Sequence, residues 1–124
     1  MSQQYKEAYK VPPGPGEGIK YDAGKNRYDL IPAYPLEELA KVYTIGAGKY
    51  GDRNWELGML WGRVFRAILS HLWKWWRGET YDSQDGQHHL ASVAWGALCL
   101  MEYEKTHPDL DDRPRKDLAS DNHK

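Results

Sequence analysis

Between Gly78 and His89 the chain places Glu79, Asp82 and Asp85 at spacings of three and follows them with His88 and His89. Carboxylate oxygens at that density suit a hard divalent cation such as Mg2+. The imidazoles extend the choice to Mn2+ or another transition ion. The plain alternative is a solvated connection between two helices, with Asp85 capping or dipole-matching the second of them.

His71 stands out for a different reason. On a helical wheel it groups with Val64, Ala67, Ile68 and Trp75, away from the polar stripe Arg63, Arg66, Ser70, Lys74 and Arg77. A histidine on an apolar face is ordinarily a core residue satisfied by a hydrogen bond. If the flanking helices pack antiparallel across the short link, however, His71 and His89 meet near its end. Glu38 lies beside Val42 and Ile45 at the edge of an apolar face and is a further candidate ligand, because a buried carboxylate needs a partner. Glu37 pairs instead with Lys41 at i, i+4.

A second group is suited to phosphates and bases. Lys25, Arg27, Lys49, Arg53, Arg63 and Arg66 offer forked or point-charge contacts to phosphate oxygens, and Tyr28, Tyr50 and Trp55 offer stacking surfaces. Each has an ordinary reading as well, a solvated charge or a core aromatic.

Three helices are predicted to position these residues. The first begins at Pro35, with an apolar stripe of Leu36, Leu39, Ala40, Tyr43, Ala47 and Tyr50, and is weakened and ended by Gly46, Gly48 and Gly51. The second covers about Leu60 to Arg77 and the third about Gly86 to Lys105. The third is apolar nearly all round from Leu90 to Met101 and should be central, with Ser92, Gly96 and Cys99 leaving room for a close crossing. Residues 1–20 read as a Pro/Gly-rich extended arm, 21–32 as a structured loop and 106–124 as a disordered charged tail. The expected fold is therefore all-α, a small bundle of three main helices in one domain, 21–105. Three helices cover one apolar helix poorly, so a homo-oligomer, dimer or tetramer, is expected to complete it.

Composition narrows the class. With 124 residues and a net charge of -1, the chain has one core and no overall field to draw in nucleic acid or an anionic membrane. The Trp73–Arg77 run does not revive nucleic-acid binding, because three aromatics at those helical spacings cannot line one groove. No basic-apolar leader and no apolar stretch approaching about 18 residues is seen, so neither export nor a membrane span is expected. Cys99 is the lone cysteine and lies in an apolar run, which fits a core residue in a reducing, cytoplasmic setting.

The stretches 21–32 (YDAGKNRYDLIP), 46–55 (GAGKYGDRNW) and 70–79 (SHLWKWWRGE), with HLAS at 89–92, resemble the phage dATP/dGTP diphosphohydrolase N-terminal domain family. The resemblance covers about Ile19 to Glu104. That family looks like a branch of the all-α nucleotide pyrophosphohydrolases related to MazG. It implies a helical bundle, an oligomer, and divalent-cation-dependent cleavage of a nucleoside triphosphate to monophosphate and pyrophosphate, with dATP and dGTP as expected substrates.

On that resemblance, Glu79 or Asp82 is the expected general base. His71, Glu79, Asp82, Asp85, His89 and Glu38 are the expected metal set, with Mg2+ as the expected ion and Mn2+ as an alternative. Lys25, Lys49, Tyr50, Arg53, Asn54, Trp55 and Arg66 are the expected substrate contacts. One departure is plain. Where related enzymes carry acidic pairs on two facing helices, this chain has His71 and Lys74 on one and His89 and Ser92 on the other. The link and the two histidines must rebuild the metal site, or the chain is a non-catalytic helical module that binds a nucleotide or a host protein.

Overall fold

A computed structural model describes residues 14–21 and 23–115. Residues 1–13 of the expected arm and 116–124 of the expected tail lie outside the described residues. Among the described residues three α-helices form: α1 (Ala33–Tyr50), α2 (Trp61–Trp76) and α3 (His89–Thr106). Short 3-10 turns occur at Tyr28–Leu30, Asn54–Leu57 and Pro108–Leu110. Among the described residues the extended backbone pairs only at an isolated antiparallel bridge, Tyr81 with His88. The fold is all-α, as the periodicity predicts, and no described helix is long and apolar enough to cross a membrane.

The chain divides after Ile31 into two units. In the first, the Tyr28–Leu30 turn is held locally: the Arg27 guanidinium donates to Asp29 at 2.9 and 2.7 Å, and Ile31 N–H reaches Tyr28 C=O at 3.2 Å.

The second unit carries the three helices. α1 starts two residues before Pro35, with Pro32 in extended conformation as its cap. Pro35 falls within the first turn, where its missing N–H removes no intrahelical bond. Gly46 and Gly48 do not stop the helix; it runs on to Gly51, which adopts φ 96° and returns its N–H to Ala47 C=O at 2.8 Å. The covered side of α1 is built by Leu39, Val42, Tyr43, Ile45 and Ala47, whereas Leu36, Ala40 and Tyr50 from the expected stripe face outward.

α3 is the central helix, packing against both α1 and α2 and contributing His89, Ala91, Gly96, Cys99 and Tyr103 to the buried set. Cys99 and Tyr103 join Trp61 and Val64 of α2 in the core, surrounded by Trp55, Met59, Ile68, Trp95, Leu100 and Leu110. The Tyr103 hydroxyl donates to Trp55 C=O, which satisfies a buried polar group from across the fold. Gly96 is where α2 comes closest. A Cβ placed there would stand 2.4 Å from Ile68 Cγ1, so the absence of a side chain sets the crossing distance.

The expected tail departs from its reading over the described part, 107–115. Trp61 Nε1–H donates to His107 C=O at 3.1 Å, Gly62 N–H to Asp112 Oδ1 at 2.7 Å, and the Arg113 guanidinium lies 4.9 Å from the Trp61 ring centre. The polar, Pro-bearing composition that suggested a tail instead supplies, in Asp112, an acceptor for the N-terminus of α2, where no local side chain caps it.

Candidate functional site

α2 and α3 run into and out of the 77–88 link, which is a tight hairpin. Asp82 N–H donates to Gln87 C=O at 2.7 Å, His89 N–H to Thr80 C=O at 2.9 Å, and Gly86 N–H to Asp82 C=O at 2.8 Å. Gly78 (φ 104°) turns the chain out of α2 and Gly86 (φ 73°) turns it back, conformations that a side chain would strain. The bridge between Tyr81 and His88 closes the hairpin. His88 then caps α3, its Nδ1 accepting Leu90 N–H at 3.0 Å. The cap expected of Asp85 is therefore made by His88.

This backbone sorts the three link carboxylates into different roles. Glu79 Oε1 lies 3.0 Å from His89 Nε2 and also accepts Ser83 N–H at 3.2 Å. Asp82 gives Oδ1 to Gln84 N–H at 2.7 Å and leaves Oδ2 4.0 Å from His71 Nδ1. Asp85 accepts Gln87 N–H at 3.1 Å and faces Lys49 Nζ at 3.9 Å, away from the imidazoles.

The two histidines meet as the antiparallel packing predicts. His71 Nδ1 and His89 Nδ1 are 2.9 Å apart, with His89 fully buried. A carboxylate on Nε2 selects the Nε2–H tautomer of a neutral imidazole and leaves Nδ1 as a lone pair. His89 Nδ1 is then the acceptor in the contact and His71 supplies Nδ1–H. Donor atoms of His71, Asp82 and His89 all lie within 4.8 Å of one another, the group among the described residues that could hold a metal ion.

Electrostatics follow the contacts. The hydrogen bond from His89 holds the Glu79 carboxyl below its ordinary range, and the Gln84 N–H does the same for Asp82. Burial, and then the neighbouring His89, push the His71 imidazole below its ordinary 6.5. At neutral pH the cluster thus presents two ionised carboxylates and an uncharged His71.

Other expected site residues are placed elsewhere. Glu38 forms an ion pair with Lys41 at 3.3 Å in place of the expected pair between Glu37 and Lys41, and neither it nor Asp85 belongs to the three-donor group. Trp55 is drawn into an aromatic cluster, its ring centre 6.3 Å from Tyr43, 6.4 Å from Trp95 and 6.1 Å from Tyr103. Packing rather than stacking on a ligand accounts for that ring. Lys49, Tyr50, Arg53, Asn54 and Arg66 are exposed, and Lys25 lies in the first unit. Sequence reasoning missed Gln87, whose buried Oε1 has no partner among the described residues. The signal available was its position directly before the two histidines.

Residues 15–113 match the family described as dATP/dGTP diphosphohydrolase, N-terminal. Over 96 residues the chain is 35% identical to a protein of Salmonella phage PMBT28 named dATP/dGTP diphosphohydrolase. That match takes in 77% of this chain and 33% of the phage protein, so the chain spans about a third of the length of the curated relative. No solved structure matches it.

Proposed function

The chain belongs to the dATP/dGTP diphosphohydrolase N-terminal family, and on that premise we propose that it is a metal-dependent diphosphohydrolase of purine deoxynucleoside triphosphates. The observation that carries this reading is the convergence of Glu79, Asp82, His71 and His89 at one end of the helix pair, in a chain whose helices lack the acidic pairs. The chemistry of the donor set fits a divalent cation. Two imidazole nitrogens and a carboxylate oxygen from His71, His89 and Asp82 lie close enough together to share one ion. Bound there, such an ion would stabilise charge on the triphosphate oxygens and make water a better nucleophile.

The chain's own residues divide the remaining work. Of the two expected general bases, Glu79 has Oε1 engaged by His89 and Ser83, which orients the imidazole, while Asp82 turns Oδ2 toward the cluster, where it serves as a ligand rather than as a base. Lys49 stands beside Asp85 at the edge of the hairpin, where its loose 3.9 Å pairing is easily exchanged for a phosphate oxygen. Arg53, Asn54 and Arg66 are exposed and supply further phosphate contacts, and Tyr50 is the exposed ring in the set.

The chain acts as a homo-oligomer in this reading. α2 leaves Phe65, Leu69, Leu72, Trp73 and Trp76 between 40% and 73% exposed, and Leu69, Leu72, Trp73, Trp75 and Trp76 line a depression of about 430 Å3. An apolar surface of that kind on a small domain supports burial against another copy.

Incubating the pure protein with each deoxynucleoside triphosphate and Mg2+ or Mn2+ tests the activity. The expected products are dAMP or dGMP with pyrophosphate, formed at least ~10-fold more slowly by Asp82→Asn. No monophosphate above background under any of these conditions overturns the reading. Nucleotide binding without turnover, unchanged by Asp82→Asn, would identify the non-catalytic module instead.

A further inference from the structure

The hairpin contains more than a generic cation site. We propose that His71, Asp82 and His89 form a centre selective for a divalent transition ion over Mg2+, with Glu79 outside the coordination as the residue that fixes the donor tautomer of His89. The inference rests on reading the cluster as a metal centre but not on turnover.

Three observations carry it. The first is donor type. Mg2+ prefers an all-oxygen octahedron and keeps much of its water, whereas imidazole nitrogen suits Fe2+, Co2+, Ni2+ and Zn2+, with Mn2+ at the weak end of that series. Here nitrogen supplies two of the three converging donors, and the carboxylates that would favour Mg2+ are directed elsewhere: Asp85 to Lys49 and Glu38 to Lys41.

The second is separation. Two ligands on one ion, each bonded at ~2.1 Å, stand about 3.0 Å apart at a right angle and about 4.2 Å apart across the ion. His71 Nδ1 to His89 Nδ1 is 2.9 Å and His71 Nδ1 to Asp82 Oδ2 is 4.0 Å. Both fall near those values, and the whole set lies within 4.8 Å, so one ion takes all three donors once Asp82 closes in by a few tenths of an ångström and the His71 proton passes from Nδ1 to Nε2.

The third is the far side of His89. Its ring is fully buried, and its Nε2 meets Glu79 Oε1 at 3.0 Å. That carboxylate fixes which nitrogen carries the proton and holds the ring in one orientation, the role that outer carboxylates play behind metal-bound histidines. The same hairpin also holds Gln87 Oε1, a buried acceptor without a partner among the described residues.

The test uses the full chain. Calorimetric titration with MnCl2, CoCl2 and MgCl2 separately should give a Co2+ affinity at least ~100-fold above that for Mg2+, with Mn2+ between the two. Pulsed EPR of the Mn2+ form should show nitrogen couplings from two imidazoles, and these should fall to one in His71→Ala. Asp82→Asn should weaken Mn2+ binding, while Glu38→Gln should leave it unchanged. Glu79→Ala should lower Mn2+ affinity by ~10–100-fold, with partial rescue by Glu79→Gln, which keeps an acceptor for Nε2–H. Long-range 1H–15N spectra of the metal-free protein should show His89 as the Nε2–H tautomer in the wild type and as a mixture in Glu79→Ala.

Equal Mg2+ and Mn2+ affinity, or Mn2+ without nitrogen coupling, overturns the proposal. So does a Glu79→Ala protein with unchanged affinity and tautomer. Circular dichroism of each variant separates lost ligands from lost fold. Mn2+ binding with these signatures but no hydrolysis would leave the centre standing and remove the enzymatic reading; hydrolysis supported by Mg2+ alone would do the reverse.

Discussion

Replacing Gly96 by Ala should destabilise the protein and loosen the site at the same time. The added methyl would sit 2.4 Å from Ile68 Cγ1 and 2.8 Å from Ile68 Cδ1, with Val64 Cγ1 at an ordinary 3.7 Å. The first distance is about 1 Å inside a normal carbon–carbon contact. Because Cγ1 is bonded directly to Cβ, rotating the terminal Cδ1 methyl alone cannot relieve the clash. Overpacking of this kind costs ~1–3 kcal/mol, and the better helix propensity of Ala returns about 1 kcal/mol. The net expectation is ~1 kcal/mol of lost stability, which for a domain of this size lowers Tm by roughly 4–8 °C.

The same displacement should reach the chemistry. His71 lies one turn beyond Ile68 on α2, and His89 opens α3, so widening the crossing stretches the 2.9 Å contact between the two imidazoles. Thermal and urea unfolding of Gly96→Ala, Ile68→Ala and the double variant provide the assay, with Mn2+ affinity measured on each. The double variant should be more stable than the sum of the single changes allows, by about 1 kcal/mol of coupling. A Gly96→Ala protein as stable as the wild type, or fully additive changes, would refute the argument that this glycine sets the helix separation.

Other consequences can be checked directly. The His71 pKa lies below 6.5 in the folded chain, so the unfolded chain binds the extra proton first; stability should fall as pH drops from 6.5 toward the folded value, and His71→Gln should flatten a urea midpoint profile in that window. Glu79 and Asp82 act lower on the scale, their contributions present above the ordinary carboxylate range and lost as pH falls through their depressed values. Asp112→Ala removes the acceptor of Gly62 N–H and should cost ~1 kcal/mol by urea denaturation, as loss of a helix cap does; an unmoved midpoint would show that the segment is not a cap. Leu69→Lys with Trp76→Lys should shift sedimentation toward a monomer while leaving helix content intact, and an unchanged sedimentation coefficient would place any association elsewhere.

Much of this was legible in residue order because it depends on local periodicity. The alternation of apolar positions exposed the three helices, the apolar girth of residues 90–101 marked α3 as central, and the placement of His71 on an apolar face pointed across to His89. What escaped depends on contacts between residues distant in sequence. Nothing about Asp112 announces that it caps the N-terminus of α2 fifty residues earlier, nor about His107 that its C=O takes the Trp61 indole N–H, and Trp55 carries no mark that distinguishes a core ring from a stacking platform. The three link carboxylates are chemically alike in the sequence. Only the turn at Gly86 and the bridge between Tyr81 and His88 decide that Asp82 faces the imidazoles, Glu79 the back of one ring and Asp85 a lysine.

Every donor in the cluster falls within residues 71–89, so the hairpin acts as a length gauge. Its paired backbone sets the register between the end of one helix and the start of the next, and with it the phase at which each ring arrives. Adding or removing a single residue within 79–88 would break the pairing of Asp82 with Gln87 and of Thr80 with His89, and with it the point at which α3 starts beside α2. His89 would then lose the backbone tie to Thr80 that holds it against His71, while both helices remained intact. The part of the molecule least able to tolerate a change in length is therefore a surface connection, the kind of segment in which such changes are ordinarily harmless.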